Sequence, residues 1–203
     1  MKQFREHAVS PVVGIMLMLV VTIIIAAVVS GFAGGLVSGH QKTPIATVSG
    51  TFSDSQGMTF TNAGGDAIPA QHMVVTIQPD DTFGQGLMAT SAQVVLPSII
   101  MDTNGNLLEN PDGTSNITAF VPGQTLYINA SMLNPSILQP AIAPSDSANI
   151  TQVGTQWTYV GFHPDFWALC FVNPNNVGKS FTLTLLDKAT GGTIAKSTVY
   201  ITP

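Results

Sequence analysis

Charged side chains are scarce in this sequence. Asp, Glu, Lys and Arg make up 8% of its 203 residues, whereas a typical soluble domain carries about 25%. Apolar residues make up 45%, which excludes an intrinsically disordered chain, because disorder combines low hydrophobicity with high charge. The single cysteine, Cys170, excludes an internal disulfide framework. The length suits one domain or one domain plus an appendage, and the many glycines and prolines favour turn-rich β structure.

Formal charge is missing altogether from residues 7–41, directly after a short segment with two basic residues and one acidic residue. Residues 8–37 form an almost continuously apolar run. This run is longer than the roughly 18 residues that indicate a membrane-spanning helix. A lone segment in lipid must satisfy its own backbone hydrogen bonds, which a helix does. We therefore predict a hydrophobic helix over residues 8–38.

The start and length of this helix agree with a membrane span. Ser10 is a favourable N-cap and Pro11 a favourable first helical residue. A helix from Pro11 to Gly35 is about 38 Å long at ~1.5 Å per residue, which exceeds a hydrocarbon core of about 30 Å. The alternative is a discarded secretory signal peptide, but the apolar region of such a peptide has only about 7–15 residues.

Small residues recur along the predicted helix, in two rows with a spacing of four. Small side chains at this spacing let helix backbones approach each other closely in lipid, so they predict helix–helix packing. The alternative is a flexible, glycine-rich helix end that leads into a linker. The candidate packing positions are Gly14, Ala26, Ala27, Ser30, Gly31, Gly34 and Gly35.

The first 35 residues combine three features in order: the basic segment KQFREH at 2–7, the segment AVSPVVG at 8–14, and the uncharged helix. In this combination the chain resembles archaeal type IV pilins. The resemblance implies a leader of residues 1–7, which a prepilin peptidase cuts between His7 and Ala8. It also implies that the helix stays on the mature protein and forms the core of a filament, with the heads outside.

One position departs from the related bacterial type IV pilins. Those proteins carry a glutamate at the fifth mature position, where this sequence has Val12. Registration of subunits through that carboxylate is therefore absent, and the resemblance implies an assembly that depends on packing.

Residues 39–44 are predicted to be a polar linker, and residues 45–203 the head. Strand-length runs in the head, several alternating with period 2, are separated by Gly, Pro and Asn. They predict an all-β, sandwich-like (Ig-like) head and, with the helix, an α+β chain. Residues 79–116 and 132–156 are expected to contain long loops suited to partner contacts. The predicted strands are 45–52, 58–62, 73–78, 93–96, 117–120, 125–130, 157–162, 168–172, 181–186 and 193–201.

Lys and Arg are absent from residues 43–178, a stretch that contains nine acidic residues. Such a surface repels phosphate backbones, so we expect no nucleic-acid binding. A surface of Thr, Ser, Asn and Gln suits a domain that packs beside identical copies, because like-charge contacts would be costly there. Low surface charge also favours aggregation, which attached glycans would counter.

Three N-glycosylation triplets occur in the head, at Asn116, Asn129 and Asn149. Asn116 and Asn149 lie in predicted loops and are the more accessible candidates. Asn129 lies in a predicted strand and is expected to be less accessible. The triplet is short, so chance occurrence is the alternative at each site.

Catalytic and metal-binding patterns are weak. Asp102, Asn104 and Asn106 alternate like the ligands of a calcium loop, but the glutamate expected at the twelfth position is missing, and Asn-Gly is a common tight turn. We prefer the turn, with no metal, no cofactor and no enzymatic activity.

Cys170 is predicted to be a small buried hydrophobe. His163 could pair with Asp165, although a structural loop is the favoured interpretation.

An aromatic cluster between residues 157 and 167 is predicted to belong to the core, with subunit contact or adhesion as the alternative. Together, the residues and the resemblance predict a structural filament subunit that acts in surface adhesion. Its implied partners are identical subunits, a prepilin peptidase, the assembly machinery and, before assembly, the cell membrane. The alternative function is a single-pass, membrane-anchored envelope binding protein that does not polymerise.

Overall fold

The computed structural model describes residues 11–37, 42–80, 83 and 92–203, with helix side chains described up to residue 32. The chain divides into two units, Met1–Lys42 and Thr43–Pro203. The first unit contains helix α1, Pro11–Val37, of 27 residues. The Thr22 hydroxyl donates to the Leu19 carbonyl over 2.8 Å, so this polar group is satisfied within the helix.

The second unit, the head, is mostly β structure. Its strands among the described residues are β1 (Ala46–Ser53), β2 (Gly57–Gly65), β3 (Ile68–Pro69), β4 (Met73–Pro79), β5 (Gln93–Val94), β6 (Ile100–Asp102), β7 (Ala119–Phe120), β8 (Thr125–Ile128), β9 (Ile150–Val153), β10 (Gln156–Tyr159), β11 (Ser180–Asp187) and β12 (Thr193–Thr202). Two single-turn helices are α2 (Pro135–Leu138) and α3 (Pro164–Trp167). The α+β class with a β head is therefore confirmed.

Eight of these strands form one continuous sheet in the order β5-β4-β11-β12-β1-β2-β8-β6. Neighbours pair antiparallel except β1 and β12, which are parallel. The edge strands β5 and β6 are consecutive in the chain, with only residues 95–99 between them. Such a connection spans at most about 20 Å, so the sheet must curl until its two edges approach each other. The pairs β9–β10 and β3–β7 lie outside this sheet.

Alternating burial along the central strands builds the core. In β11, Phe181, Leu183 and Leu185 are buried, while the intervening residues are partly exposed. The Phe171 ring stacks on the Phe181 ring at 4.2 Å, and Phe52 meets the Phe181 ring edge-on at 5.6 Å. This aromatic packing ties the segment before β11 to the sheet, because buried rings contribute both apolar area and a preferred geometry.

The predicted strand at 168–172 was wrong. Residues 168 and 169 follow α3 in a turn, and Cys170, Phe171 and Val172 are all fully buried. Residues 170–172 belong to no described strand; their side chains are buried in the core, where the Phe171 ring stacks on Phe181. A short apolar run does not distinguish a strand from an irregular segment packed into the core.

The sequence also missed three short strands. β6 lies within residues 79–116 and β9 within residues 132–156, which were expected to contain long loops, and β3 was not predicted. The predicted strand at 157–162 ends at Tyr159, which leaves Val160 and Phe162 in a loop. Strands of only two to four residues carry too little periodicity to be recognised from the sequence alone.

Asp54 is buried in the turn between β1 and β2. Asp54 is only 4% exposed, and no described group donates a hydrogen bond to its Oδ1. Burial raises the pKa of this carboxyl to about 6 from an ordinary value of 3.8. The folded protein therefore holds the proton more tightly than the unfolded chain, and stability declines as the pH rises from about 4 to about 6.

Asp54→Asn should consequently stabilise the full chain at pH 8, by about 1–3 kcal/mol, and have little effect at pH 3.5. The measurement is urea unfolding of the head in the detergent-solubilised protein at both pH values. Asp112→Asn is the matched control, since hydrogen bonds from Thr114 lower the pKa of that exposed carboxyl. A loss of stability in Asp54→Asn at pH 8 would contradict the account.

Candidate assembly site and head surface

The apolar helix is the candidate assembly site. Among the described residues, the 22-residue segment Pro11–Phe32 is long and apolar enough to cross a membrane, with a mean hydropathy of 3.2 over an 18-residue window. Each of its described side chains is exposed, and the polar Thr22 bonds back to the helix itself. A helix that is apolar on all sides requires an apolar environment on all sides, so lipid or protein must surround it.

The structure describes the surroundings of some of the predicted packing positions and not of others. Ala26, Ala27, Ser30 and Gly31 are exposed on α1, and a Cβ added at Gly14 or Gly31 would meet no atom within 4 Å. A shallow groove is lined by Ala27, Val28, Gly31 and Phe32. The exposure of Gly34 and Gly35 within α1 is not described, and the predicted cleavage site at His7 and Ala8 lies outside the described residues. These positions therefore stay predictions.

The three glycosylation candidates are all exposed. The expectation that Asn129 lies in a strand was wrong, because β8 ends at Ile128 and Asn129 caps the next turn, with its Oδ1 accepting from the Ser131 backbone N–H at 3.1 Å. Asn116 lies in a loop before the buried Ile117. Asn149 ends a short helical turn, and its Nδ2 donates to Asp146 Oδ2 at 3.1 Å.

The alternating residues at 102–106 form a turn. Asp102 Oδ1 accepts from the backbone N–H groups of Asn104 (2.8 Å) and Asn106 (2.9 Å), and its Oδ2 accepts from Asn106 Nδ2 (3.0 Å). The bond from the Asn106 side chain is the main reason that the pKa of Asp102 is lowered. Gly105 supplies the positive φ of +83° that this turn requires. The carboxylate is thus directed at its own loop, and no cluster of His, Cys, Asp or Glu suited to a metal occurs among the described residues.

The aromatic cluster is split between core and surface. Trp157 is buried, and Tyr159 and Trp167 are partly buried with their rings 5.7 Å apart. Phe162 is 90% exposed and Val160 is 84% exposed. The predicted core role therefore holds for Trp157 and fails for Phe162.

Asp146 organises this region, although the sequence analysis did not single it out. Its Oδ1 accepts from the Tyr159 hydroxyl at 2.6 Å, and its Oδ2 accepts from the Phe162 backbone N–H at 3.0 Å. The Tyr159 bond is the main reason that the pKa of Asp146 falls to about 2. No local sequence pattern links residues 13 to 16 positions apart, so only the fold could identify this role.

The remaining titratable candidates do not form a catalytic group. The His163 ring meets the Phe166 ring edge-on at 6.1 Å, and the one ion pair among the described residues joins His72 to Asp187 at 3.8 Å. Cys170 is fully buried, and burial raises the pKa of its thiol to about 12. A thiol so protonated is a poor nucleophile.

The structure defines an α+β chain in which an exposed apolar N-terminal helix is followed by a β head. Residues 7–48 match the sequence family described as archaeal type IV pilin, N-terminal. The chain is thus similar to archaeal type IV pilins over about a fifth of its length, which confirms the resemblance for this N-terminal segment. No curated protein is significantly similar to the chain. The pilin family is structural, which makes a pilin-like structural subunit the supported class.

Asp102→Ala should lower the melting temperature of the head, because it removes the acceptor of three hydrogen bonds within the turn. Asn104→Ala is the matched control and should have a smaller effect, since its backbone N–H remains. Because the folded pKa of Asp102 is lowered, its contribution is present at neutral pH and is lost as the pH falls through that pKa. Circular dichroism melts with Ca²⁺ or EDTA should coincide; a rise in melting temperature with Ca²⁺ would instead indicate a metal site.

Proposed function

We propose that this chain polymerises through α1 into an extracellular pilus of identical subunits, with the heads on the outside. The observation that supports this most strongly is the wholly exposed, charge-free helix within the pilin-like segment. Lipid around a membrane-embedded precursor, or neighbouring helices in a filament core, would cover such a helix completely. Exposure of the segment Pro11–Phe32 to water would leave its 17 apolar side chains (Ala, Val, Ile, Leu, Met and Phe) unburied, at a cost of about 25 cal/mol per Å² of apolar surface.

The proposed assembly step exchanges lipid for neighbouring helices. Residues 7–41 contain no formally charged side chain, so extraction from the bilayer leaves no charged side chain buried without a partner. Cleavage between His7 and Ala8 by a prepilin peptidase would remove the charged leader before this step. The mature chain would then begin with the amine of Ala8, directly before the helix.

Packing between the helices is proposed to use the small residues of α1. No atom lies within 4 Å of a Cβ placed at Gly31, and a groove runs beside Ala27. A side chain of a neighbouring helix could therefore pack closely against α1 at these positions. Close approach matters here because apolar surface gains little from exchanging lipid for protein, and van der Waals contact must supply the preference.

The heads are proposed to face the surroundings and to act in surface adhesion. Their low charge and exposed Asn116, Asn129 and Asn149 support attached glycans on this outer face. A glycan at any of these positions would lie outside the buried core, since each asparagine is exposed.

Surface filaments sheared from producing cells should contain this chain with Ala8 as its first residue. N-terminal peptide mass spectrometry of the sheared fraction, together with negative-stain microscopy, measures both properties. An uncut Met1 with no filaments would overturn the proposal and favour the membrane-anchored binding protein. Gln3→Ala, in the leader but away from the His7–Ala8 bond, is the mild control, while deletion of residues 1–7 should abolish export into filaments.

Ala27→Leu and Gly31→Leu should reduce the filament yield at least tenfold, because each adds a bulky side chain at a close helix contact. Val29→Leu is the matched control, since it changes side-chain size on the same helix without altering a small position. Filament yield is measured by quantifying the sheared fraction against total cellular protein. Normal filaments from both small-to-large variants would remove the packing role of these positions.

A further inference from the structure

The two most exposed large apolar side chains of the described head lie in one short loop. This loop, residues 160–162, directly follows β10, and we call it the apolar loop. Val160 is 84% exposed and Phe162 is 90% exposed. Single exposed apolar residues are ordinary on protein surfaces. Two of them in one loop are unfavourable in water unless another group covers them.

The apolar loop is held in one conformation by hydrogen bonds and close packing. Asp146 Oδ1 accepts from the Tyr159 hydroxyl at 2.6 Å, and the Tyr159 oxygen accepts from the His163 backbone N–H at 2.7 Å. Asp146 Oδ2 accepts from the Phe162 backbone N–H at 3.0 Å. A Cβ at Gly161 would overlap Asp146 Oδ2 and the Tyr159 ring. The chain is thus fixed on both sides of Phe162, so packing against this residue would cost little conformational entropy.

The glycosylation candidate Asn149 lies beside the apolar loop. Its Nδ2 donates to Asp146 Oδ2 at 3.1 Å, and the same oxygen accepts from the Phe162 backbone N–H at 3.0 Å. Because both nitrogens lie about 3 Å from one oxygen, they are at most about 6 Å apart. The Asn149 carbonyl also accepts from the Val160 backbone N–H at 3.4 Å. A sugar attached at Asn149 Nδ2 would therefore begin next to the apolar loop.

The other two glycosylation candidates are placed differently. The Asn129 side chain accepts from the backbone N–H and the hydroxyl of Ser131, so its hydrogen bonds stay within its own turn. Asn116 directly precedes the buried Ile117. Of the three candidates, Asn149 is the one whose side chain bonds to a carboxylate that also holds an exposed aromatic residue.

We propose that Asn149 carries an N-linked glycan whose first sugar packs on the Phe162 ring. The C–H groups on one face of a sugar ring form an apolar surface, and the electron-rich face of a phenyl ring attracts such polarised groups. The glycan covers the apolar loop, and the loop holds the first sugar in one orientation. This inference rests on the proposed function, in which the head lies outside the cell and carries glycans.

The covalent step is compatible with the hydrogen bonds that fix the apolar loop. Asn149 Nδ2 forms a bond to the anomeric carbon of a sugar, and the bond from that carbon to the phosphate of a lipid-linked donor breaks. Nδ2 loses one of its two protons, and the phosphate oxygen keeps the electron pair of the broken bond. One proton remains on Nδ2 to donate to Asp146, and the Phe162 backbone N–H is unchanged.

Thr151, the third residue of the acceptor triplet, offers a matched pair of variants, because it is exposed in β9. Thr151→Val destroys the triplet and prevents glycosylation, while Asn149 and its bond to Asp146 stay in place. Thr151→Ser keeps a valid triplet and is the control for the substitution itself. Each variant is made in the full chain, alone and together with Phe162→Ala, and is expressed in the producing cells.

The first measurement is glycopeptide mass spectrometry of the chain purified from the membrane fraction. A glycan is expected on Asn149 in the unsubstituted chain and in Thr151→Ser, and none in Thr151→Val. Chymotrypsin is the suitable protease, because Lys and Arg are absent from residues 43–178 and trypsin would leave one long peptide. An unmodified Asn149 in the unsubstituted chain would overturn the proposal.

The second measurement is thermal unfolding of the head in the detergent-solubilised chain, followed by circular dichroism. Phe162→Ala should lower the melting temperature by about 2–4 °C where Asn149 carries the glycan, in the unsubstituted and the Thr151→Ser backgrounds. In the Thr151→Val background the same substitution should lower it by less than about 1 °C. An equal effect of Phe162→Ala with and without the glycan would refute the packing of the sugar on the ring.

The outcome for Asn149 is separable from the outcome for the proposed function. Both measurements use the chain from the membrane fraction and require no filaments. Filaments that form normally around an unmodified Asn149 would overturn this inference and leave the proposed function intact. A glycan packed on Phe162 in a chain that never forms filaments would overturn the proposed polymer and support this inference.

Discussion

Removal of α1 from water is the constraint on which this molecule depends. The helix has no charged side chain, the Thr22 hydroxyl bonds to the helix backbone, and every described side chain is exposed. Such a segment is stable only inside lipid or against other apolar helices. The same physical property therefore accounts for a membrane precursor and for a filament core, without any change in the helix itself.

The head meets a different requirement, since it must fold independently of what surrounds the helix. Its curled sheet and packed phenylalanines supply a separate core, and loops outside the sheet are fixed by carboxylates such as Asp102 and Asp146. Because carboxylates accept hydrogen bonds from backbone N–H groups, few charges suffice to order many loop residues. Several of the few acidic residues in the head thus accept hydrogen bonds from their own or adjacent loops, instead of contributing to an interspersed charged surface.

The helix and the β character of the head could be predicted from sequence because both depend on local patterns. An apolar run of more than 20 residues has one stable solution in lipid, and alternation in β11 identifies its buried face directly. The short strands, the core segment at Cys170 and the accessibility of Asn129 depend on contacts between distant residues. The position of the loop at residues 160–162 depends on the hydrogen bond from the Phe162 backbone N–H to Asp146, which joins residues 16 positions apart and cannot be inferred from composition.

The central claim is that α1 is buried among identical helices in the mature filament. Electron cryomicroscopy of sheared surface filaments tests it most directly, because the helical core can be traced residue by residue. The account predicts that α1 lines the core, that it begins near Ala8, and that it contacts only α1 helices of other copies. A core built from a different protein, or this chain confined to the membrane with α1 in lipid, would contradict it.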